Sequence, residues 1–207
     1  MLRALFLRSI RRLLRPLLIY IHGFQSSPQS QKAEATRHYV KSQDLPFDFL
    51  TPDLDNYPMR SYQQLQAIVE QHLPRPIALI GSSLGGFMAT ALVEQYDGLR
   101  AVLVNPVVRP YELISLVLGD NVNPYTGIEF FLDESHIDEL HQLEVAKLSD
   151  PSRIKVLMQT GDETLDYRSA VSYYQGCEQV IEEGGDHRFQ NYEKHLPDVI
   201  KFLELRT

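Results

Sequence analysis

Short apolar runs separated by longer stretches of helical periodicity dominate the chain. Residues 17–21 (Leu-Leu-Ile-Tyr-Ile), 77–80 (Ile-Ala-Leu-Ile), 100–104 (Arg-Ala-Val-Leu-Val) and 153–159 (Arg-Ile-Lys-Val-Leu-Met-Gln) have strand length and little alternation, as buried strands do. Residues 47–51 and 177–182 read as two further short strands. Between them lie helical patterns at 31–43, 61–73 (Leu65, Ile68, Val69 and Leu73 inward, Ser61 as its cap), 87 to about 97, 167–175 and 190–205. Strands alternating with helices predict an α/β fold, a mostly parallel sheet flanked by helices on both faces.

Residues 107–148 interrupt the rhythm. They are aromatic-rich and uneven (Tyr111, Tyr125, Phe130, Phe131), with turn signals at Gly119-Asp120 and 123–127 and a helix expected over 135–148. Two readings are open: a small lid insertion walling an apolar acyl pocket, or a plain pair of surface helices. His136 and His141 read as solvated helix residues, since their spacing of five does not match the one-turn separation of helical metal ligands.

The punctuation between strands and helices carries the candidate chemistry. After the strand at 77–80 the chain reads Gly81-Ser-Ser83-Leu-Gly85-Gly86 and becomes helical. Gly-x-Ser-x-Gly at a strand-to-helix turn matches the nucleophile elbow of α/β-hydrolases: Gly81 and Gly85 let strand and helix cross closely beneath Ser83, and the Leu84 N–H faces a developing oxyanion. A phosphate-cradling loop needs Lys and a hydroxyl after the second glycine, where Phe87 and Met88 stand, and a Gly-x-Gly-x-x-Gly fingerprint does not occur from residue 81. The turn His22-Gly23-Phe24 after the first strand resembles the loop that supplies a second oxyanion N–H, here that of Phe24, with His22 orienting the loop. The loop after 153–159 holds Asp162, the first choice for a triad acid, with Asp166 second and Glu163 third. Of seven histidines, His187 alone follows the last strand, and Gly184-Gly185 ahead of it suit a mobile base. Asp53 and Asp55 pair at a strand-end turn without the rest of a calcium loop, and a solvated turn is favoured over a metal role.

Ser83, Asp162 and His187 thus occur in α/β-hydrolase order, each on a loop after a strand. Four motifs carry a closer resemblance: residues 18–28 (Leu-Ile-Tyr-Ile-His-Gly-Phe-Gln-Ser-Ser-Pro), 80–87 (Ile-Gly-Ser-Ser-Leu-Gly-Gly-Phe), 159–167 (Gln-Thr-Gly-Asp-Glu-Thr-Leu-Asp-Tyr) and 184–189 (Gly-Gly-Asp-His-Arg-Phe). Together they resemble the YqiA-type bacterial esterases, small α/β-hydrolases, over residues 17–205. The resemblance implies hydrolysis of carboxylic esters or thioesters, with short acyl esters and fatty acyl-CoA as candidate substrates, and no metal or organic cofactor. The rival of a different class is a hydrolase-fold protein that binds a small molecule or partner without turnover.

Composition adjusts this picture modestly. The 207 residues, 43% of them hydrophobic, suffice for one core, and a net charge of −7 gives nucleic-acid binding no electrostatic support. Residues 1–16 hold five arginines and no acid, so the remainder stands near −12. This basic extension reads as a membrane-surface or transit-like segment, a helix docked on the acidic body, or an upstream extension from an early start codon; the last two together are preferred. Family members begin near the first strand, so the extension departs from their pattern. The single cysteine, Cys177, reads as a packing residue and points to a reducing, cytoplasmic setting. No apolar run is long enough for an integral membrane segment. The partner expected is a small-molecule ester or thioester; oligomeric state is not assigned.

Overall fold

The computed structural model describes residues 15–203. Most of the basic segment 1–16 therefore lies outside the described residues, as does the end of the helix expected to reach 205. Six strands, β1 (Leu17–Ile21), β2 (Asp48–Leu50), β3 (Ile77–Ser82), β4 (Arg100–Val104), β7 (Ile154–Gln159) and β8 (Glu178–Glu182), form one sheet in the order β2-β1-β3-β4-β7-β8. Every pairing in it is parallel. Parallel strands need crossovers, supplied by α1 (Gln31–Ser42), α2 (Pro58–His72), α3 (Leu84–Gln95) and α6 (Tyr167–Tyr173), and α7 (Leu196–Leu203) closes the fold.

The central strands read as continuous apolar runs because both faces are covered. Leu17, Ile19, Ile21, Ile77, Leu79, Ala101, Leu103, Val156 and Met158 point into the core beneath α2, α3 and α6. Leu18, Tyr20, Ala78, Ile80, Val102, Val104 and Leu157 point to the other face, against α1 and α7. Helix α3 is buried from Leu84 to Val93, which explains why its sequence is apolar all round.

Lys155 is the exception in this core. Its side chain, 1% exposed, meets Glu178 of β8 at 2.7 Å and Asp198 of α7. Burial works against the charge, but the hydrogen bonds to Asp198 and Glu178 outweigh it and raise the lysine above its ordinary value.

Several boundaries differ from expectation. Helix α2 starts a turn early, at Pro58, because proline is preset for the first helical position; Ser61 is therefore buried within it and donates to the Asp55 carbonyl instead of capping. The closing helix is a 3-10 turn at Tyr192–His195 followed by α7, a break at Pro197, which fits only a first helical turn.

The insertion is not a plain pair of surface helices. A short helix α4 (Pro110–Ile114) leads into an antiparallel hairpin, β5 (Gly119–Val122) with β6 (Glu129–Leu132), and then α5 (Glu134–Gln142). Helix α5 stops six residues before 148. His136 is not merely solvated: its Nδ1 accepts from the Asp133 N–H in a capping box and its ring stacks on Tyr57 at 5.1 Å. His141 stacks on Tyr111 at 3.9 Å. Alternation along β6 turns Phe130 and Leu132 into the core and leaves Phe131 outside.

The nucleophile-elbow glycines are required by contact. A Cβ at Gly85 would stand 2.1 Å from the Ile21 carbonyl oxygen, and one at Gly81 would stand 2.4 Å from the Gly85 carbonyl oxygen. Gly85→Ala is expected to destabilise by about 3 kcal/mol or more in urea unfolding, since the clash is with the Ile21 and His22 backbone and not with a flexible side chain; a variant as stable as wild type would contradict this packing. For Lys155, Lys155→Met is expected within about 1 kcal/mol of wild type. The Glu178→Gln, Asp198→Asn pair, which strands the buried ammonium, is expected to lose about 2 kcal/mol, discounted for the half-exposed carboxylates. Equal losses in the two would contradict the assignment.

Candidate active site

In a parallel sheet the loops at the carboxyl ends of the strands gather along one edge. Here that edge brings together the His22-Gly23-Phe24 loop after β1, Ser83 after β3, Asp162 after β7 and His187 after β8. Ser83 has φ 54° and ψ −119°, in a region that side-chain-bearing residues rarely occupy. Its N–H donates to the Val104 carbonyl at 3.1 Å, and its own carbonyl accepts from Gly86 at 2.9 Å and Val107 at 3.3 Å. The turn is thus pinned from both sides, with its side chain lifted clear of strand and helix.

Ser83 Oγ lies 3.2 Å from His187 Nε2, and His187 Nδ1 lies 2.8 and 3.0 Å from the two Asp162 oxygens. With the Nδ1–H donating to Asp162, Nε2 is the acceptor and the Ser83 hydroxyl the donor. The Asp162 side chain is 2% exposed and its Oδ1 also accepts from the Thr164 and Leu165 N–H groups, at 2.9 and 2.8 Å. Those donors fix the carboxylate in position beside the imidazole. The two other candidate acids are elsewhere. Asp166 is the N-cap of α6, accepting from the Arg168 N–H. Glu163 accepts from the His187 backbone N–H at 2.9 Å and does not touch its ring.

Leu84 is the first residue of α3, where helical geometry leaves amides without an intrahelical acceptor. Gly23 approaches so closely that a Cβ there would stand 3.2 Å from Ser83 Cβ, which brings the Phe24 loop against the serine. His22 is buried with Nδ1 3.0 Å from the Gly23 carbonyl, and burial lowers its pKa, so a neutral ring donates there and orients the loop. The insertion braces the same loop: Phe130 packs edge-on to Phe24 at 5.9 Å, and Gln25 Nε2 donates to Asn121 Oδ1 at 3.2 Å.

Sequence reasoning missed the residues that hold the histidine loop. Asn105 Nδ2 donates to the carbonyls of Asp186 (3.0 Å) and His187 (3.3 Å), while its Oδ1 accepts from the Gln159 N–H. Gln159 Oε1 accepts from the N–H groups of Asp186 and Gln190, and its Nε2 donates to the Gln190 carbonyl. Lys32 Nζ donates to the Arg188 carbonyl at 2.8 Å. Gly184 and Gly185, both at φ 75°, give this loop its shape; a Cβ on Gly185 would stand 2.0 Å from Gln159 Oε1. Gly185 serves close approach to the Gln159 clamp, while Gly184 has open space around it.

A cavity of about 270 Å³ opens over Ser83 and His187. Its lining is largely polar, with Phe24 and Tyr125 its only aromatic carbon rings, so this cavity is not the apolar acyl pocket expected of the insertion. The insertion sends its apolar side chains inward (Phe130, Leu132) or outward (Leu116, Val122, Phe131) and contributes Tyr125 alone to this lining. A larger cavity of about 830 Å³ lies at the amino ends of β1 and β2, the opposite edge of the sheet from Ser83. Burial pushes the Cys177 thiol up to about 11, which keeps it unreactive. The Asp55 carboxylate caps its own turn, accepting from the Tyr57 N–H. Among the described residues no cluster of three or more His, Cys, Asp or Glu is arranged for a metal, and no helix is long and apolar enough to cross a membrane.

Solved structures share this architecture. Est1E from Butyrivibrio proteoclasticus, in a structure with ferulic acid bound, is similar at TM-score 0.70 and 16% identity, over 92% of this chain and 89% of that one. Mouse alpha/beta hydrolase domain-containing protein 10 is similar at TM-score 0.67 and 19% identity, over 91% and 90%. A Xanthomonas campestris protein described as an α/β serine hydrolase without a lid is similar at TM-score 0.63 and 11% identity, over 94% and 85%. The fold is that of the α/β-hydrolases. Residues 17–204 match the family described as "Uncharacterised protein family (UPF0227)", the YqiA-like group that the four sequence motifs resemble. On that match across nearly the whole described chain, the protein belongs to the UPF0227 family.

Proposed function

We propose that the protein is a serine hydrolase that cleaves carboxylic esters or thioesters through an acyl-Ser83 intermediate. The observation that carries the reading is the chain of hydrogen bonds from Ser83 Oγ through His187 to the buried Asp162. His187 Nε2 accepts the Ser83 proton as Oγ attacks the carbonyl, Asp162 fixes the tautomer and stabilises the imidazolium, and the Phe24 and Leu84 amides receive the oxyanion. The imidazolium then protonates the leaving alkoxide or thiolate. A water takes the place of the leaving group and attacks the acyl carbon while His187 takes its proton; His187 then returns that proton to Ser83 Oγ as the acid leaves. All of this needs only side chains and backbone amides. A binding protein has no use for a serine on a strained turn backed by a base and a buried acid, which favours turnover over binding alone.

The small polar cavity supports short acyl groups over long ones, since it falls below the usual range for drug-sized ligands. Esters and thioesters share the acyl-serine step and are not separated by these residues.

The test is hydrolysis of 4-nitrophenyl acyl esters and acyl thioesters of increasing length by purified protein. Ser83→Ala and Asp162→Asn are each expected to lower kcat by about 10³-fold or more. Asp166→Asn keeps a helix cap and is expected within about twofold of wild type. Equal activity in wild type and Ser83→Ala would overturn the assignment, and a loss in Asp166→Asn matching that in Asp162→Asn would overturn the choice of acid.

A further inference from the structure

We propose that the mouth of the Ser83 cavity is an anion-binding subsite, in which Lys32 and Arg188 receive a carboxylate or phosphate group carried by the substrate. The inference rests on the serine-hydrolase reading and narrows its substrate class to anionic esters or thioesters. In a chain of net charge −7, the lining of this cavity contains Lys32, Arg188 and His187 and no acidic residue. The lining therefore presents two cationic side chains, with Asp162 and Asp186 acting on Lys32 from outside it.

The Lys32 ammonium is half-buried at the first turn of α1, and among the described residues neither it nor Arg188 forms an ion pair with a carboxylate. The hydrogen bond found for Lys32 Nζ goes to the neutral Arg188 carbonyl, which uses one of its three donors. Burial pushes Lys32 down to about 8, with Asp186 and Asp162 acting the other way at longer range and Arg188 adding to the fall. It remains largely protonated at neutral pH, a cation drawn partly out of water with no adjacent counter-charge. An anion beside it supplies the missing partner.

A second feature points the same way. Ser30, Gln31 and Lys32 line the cavity at the amino end of the twelve-residue α1. Ser30, the N-cap, makes no side-chain cap bond, and its Oγ is buried without a hydrogen-bond partner. The Ser30 hydroxyl is buried beside Tyr20, so it is the positive end of the helix dipole that faces the same space as the two cations. Carboxylate and phosphate share the chemistry this corner recognises.

Two measurements test the proposal independently of each other. In the first, glutarate and inorganic phosphate are titrated by calorimetry at low ionic strength into wild type, Lys32→Met and Arg188→Leu. Saturable binding to wild type, weakened about tenfold in each variant, is expected; the stronger of the two ligands identifies the group. In the second, kcat/KM for mono-(4-nitrophenyl) glutarate is divided by that for 4-nitrophenyl pentanoate. Where glutarate is the ligand bound, that ratio is expected to fall about tenfold in each variant and with added salt. Absence of binding of both anions to wild type, or binding unchanged in both variants, overturns the subsite. Failure of wild type to hydrolyse the neutral pentanoate overturns the hydrolase reading instead, and leaves the calorimetry to decide the subsite.

Discussion

The arrangement at the carboxyl edge of the sheet depends on one backbone crossing. Helix α3 passes over β3 and β1 so closely that Gly85 touches the Ile21 carbonyl and Gly81 touches the Gly85 carbonyl. No side chain fits in either place. That approach forces the turn at Ser83 to φ 54°, a conformation of the kind that costs of order 1–3 kcal/mol, and bonds to Val104, Gly86 and Val107 hold it there. Because β1 lies directly beneath, the same crossing brings the Gly23-Phe24 loop against the serine. Position of the serine and position of the loop beside it are one constraint.

The histidine is held by a different device. Its loop follows the edge strand β8, so no sheet neighbour fixes it from the far side. Side chains take over: Asn105 just after β4, Gln159 from β7, Glu163 from the loop after β7 and Lys32 from α1 bind the loop's backbone groups between residues 186 and 190. The Asn105 and Gln159 amides are satisfied by one another and by the loop backbone, which makes the clamp specific as well as rigid. Lys32 belongs to both this scaffold and the mouth of the cavity, so the charge at the mouth is fixed relative to His187.

The strands of the main sheet were readable because burial on both faces writes itself as an unbroken apolar run, and β1 and β4 have the bounds their sequence predicted. Gly81, Ser83 and Gly85 were readable because sterics admit few residue types at such a crossing. Asp162 was separated from Asp166 only in three dimensions, since a side chain buried against His187 and one capping a helix look alike in a row of acids. The insertion was the least legible part. Gly119-Asp-Asn-Val122 has weak strand preference, and the hairpin exists because Phe130 and Leu132 find the core and Asn121 finds Gln25, none of which is local. Asn105 and Gln159 were invisible for the same reason: an amide that clamps a loop reads as an ordinary polar residue at a strand end.

The central claim is that Ser83 is the nucleophile and that its reactivity comes from His187. Its most direct test is treatment of wild type and His187→Ala with a fluorophosphonate, followed by peptide mass mapping of the adduct. The account predicts a single adduct on the peptide carrying Ser83 in wild type, formed at least about 10²-fold more slowly in His187→Ala. An adduct on another residue, or labelling of Ser83 at the same rate in both proteins, would contradict it.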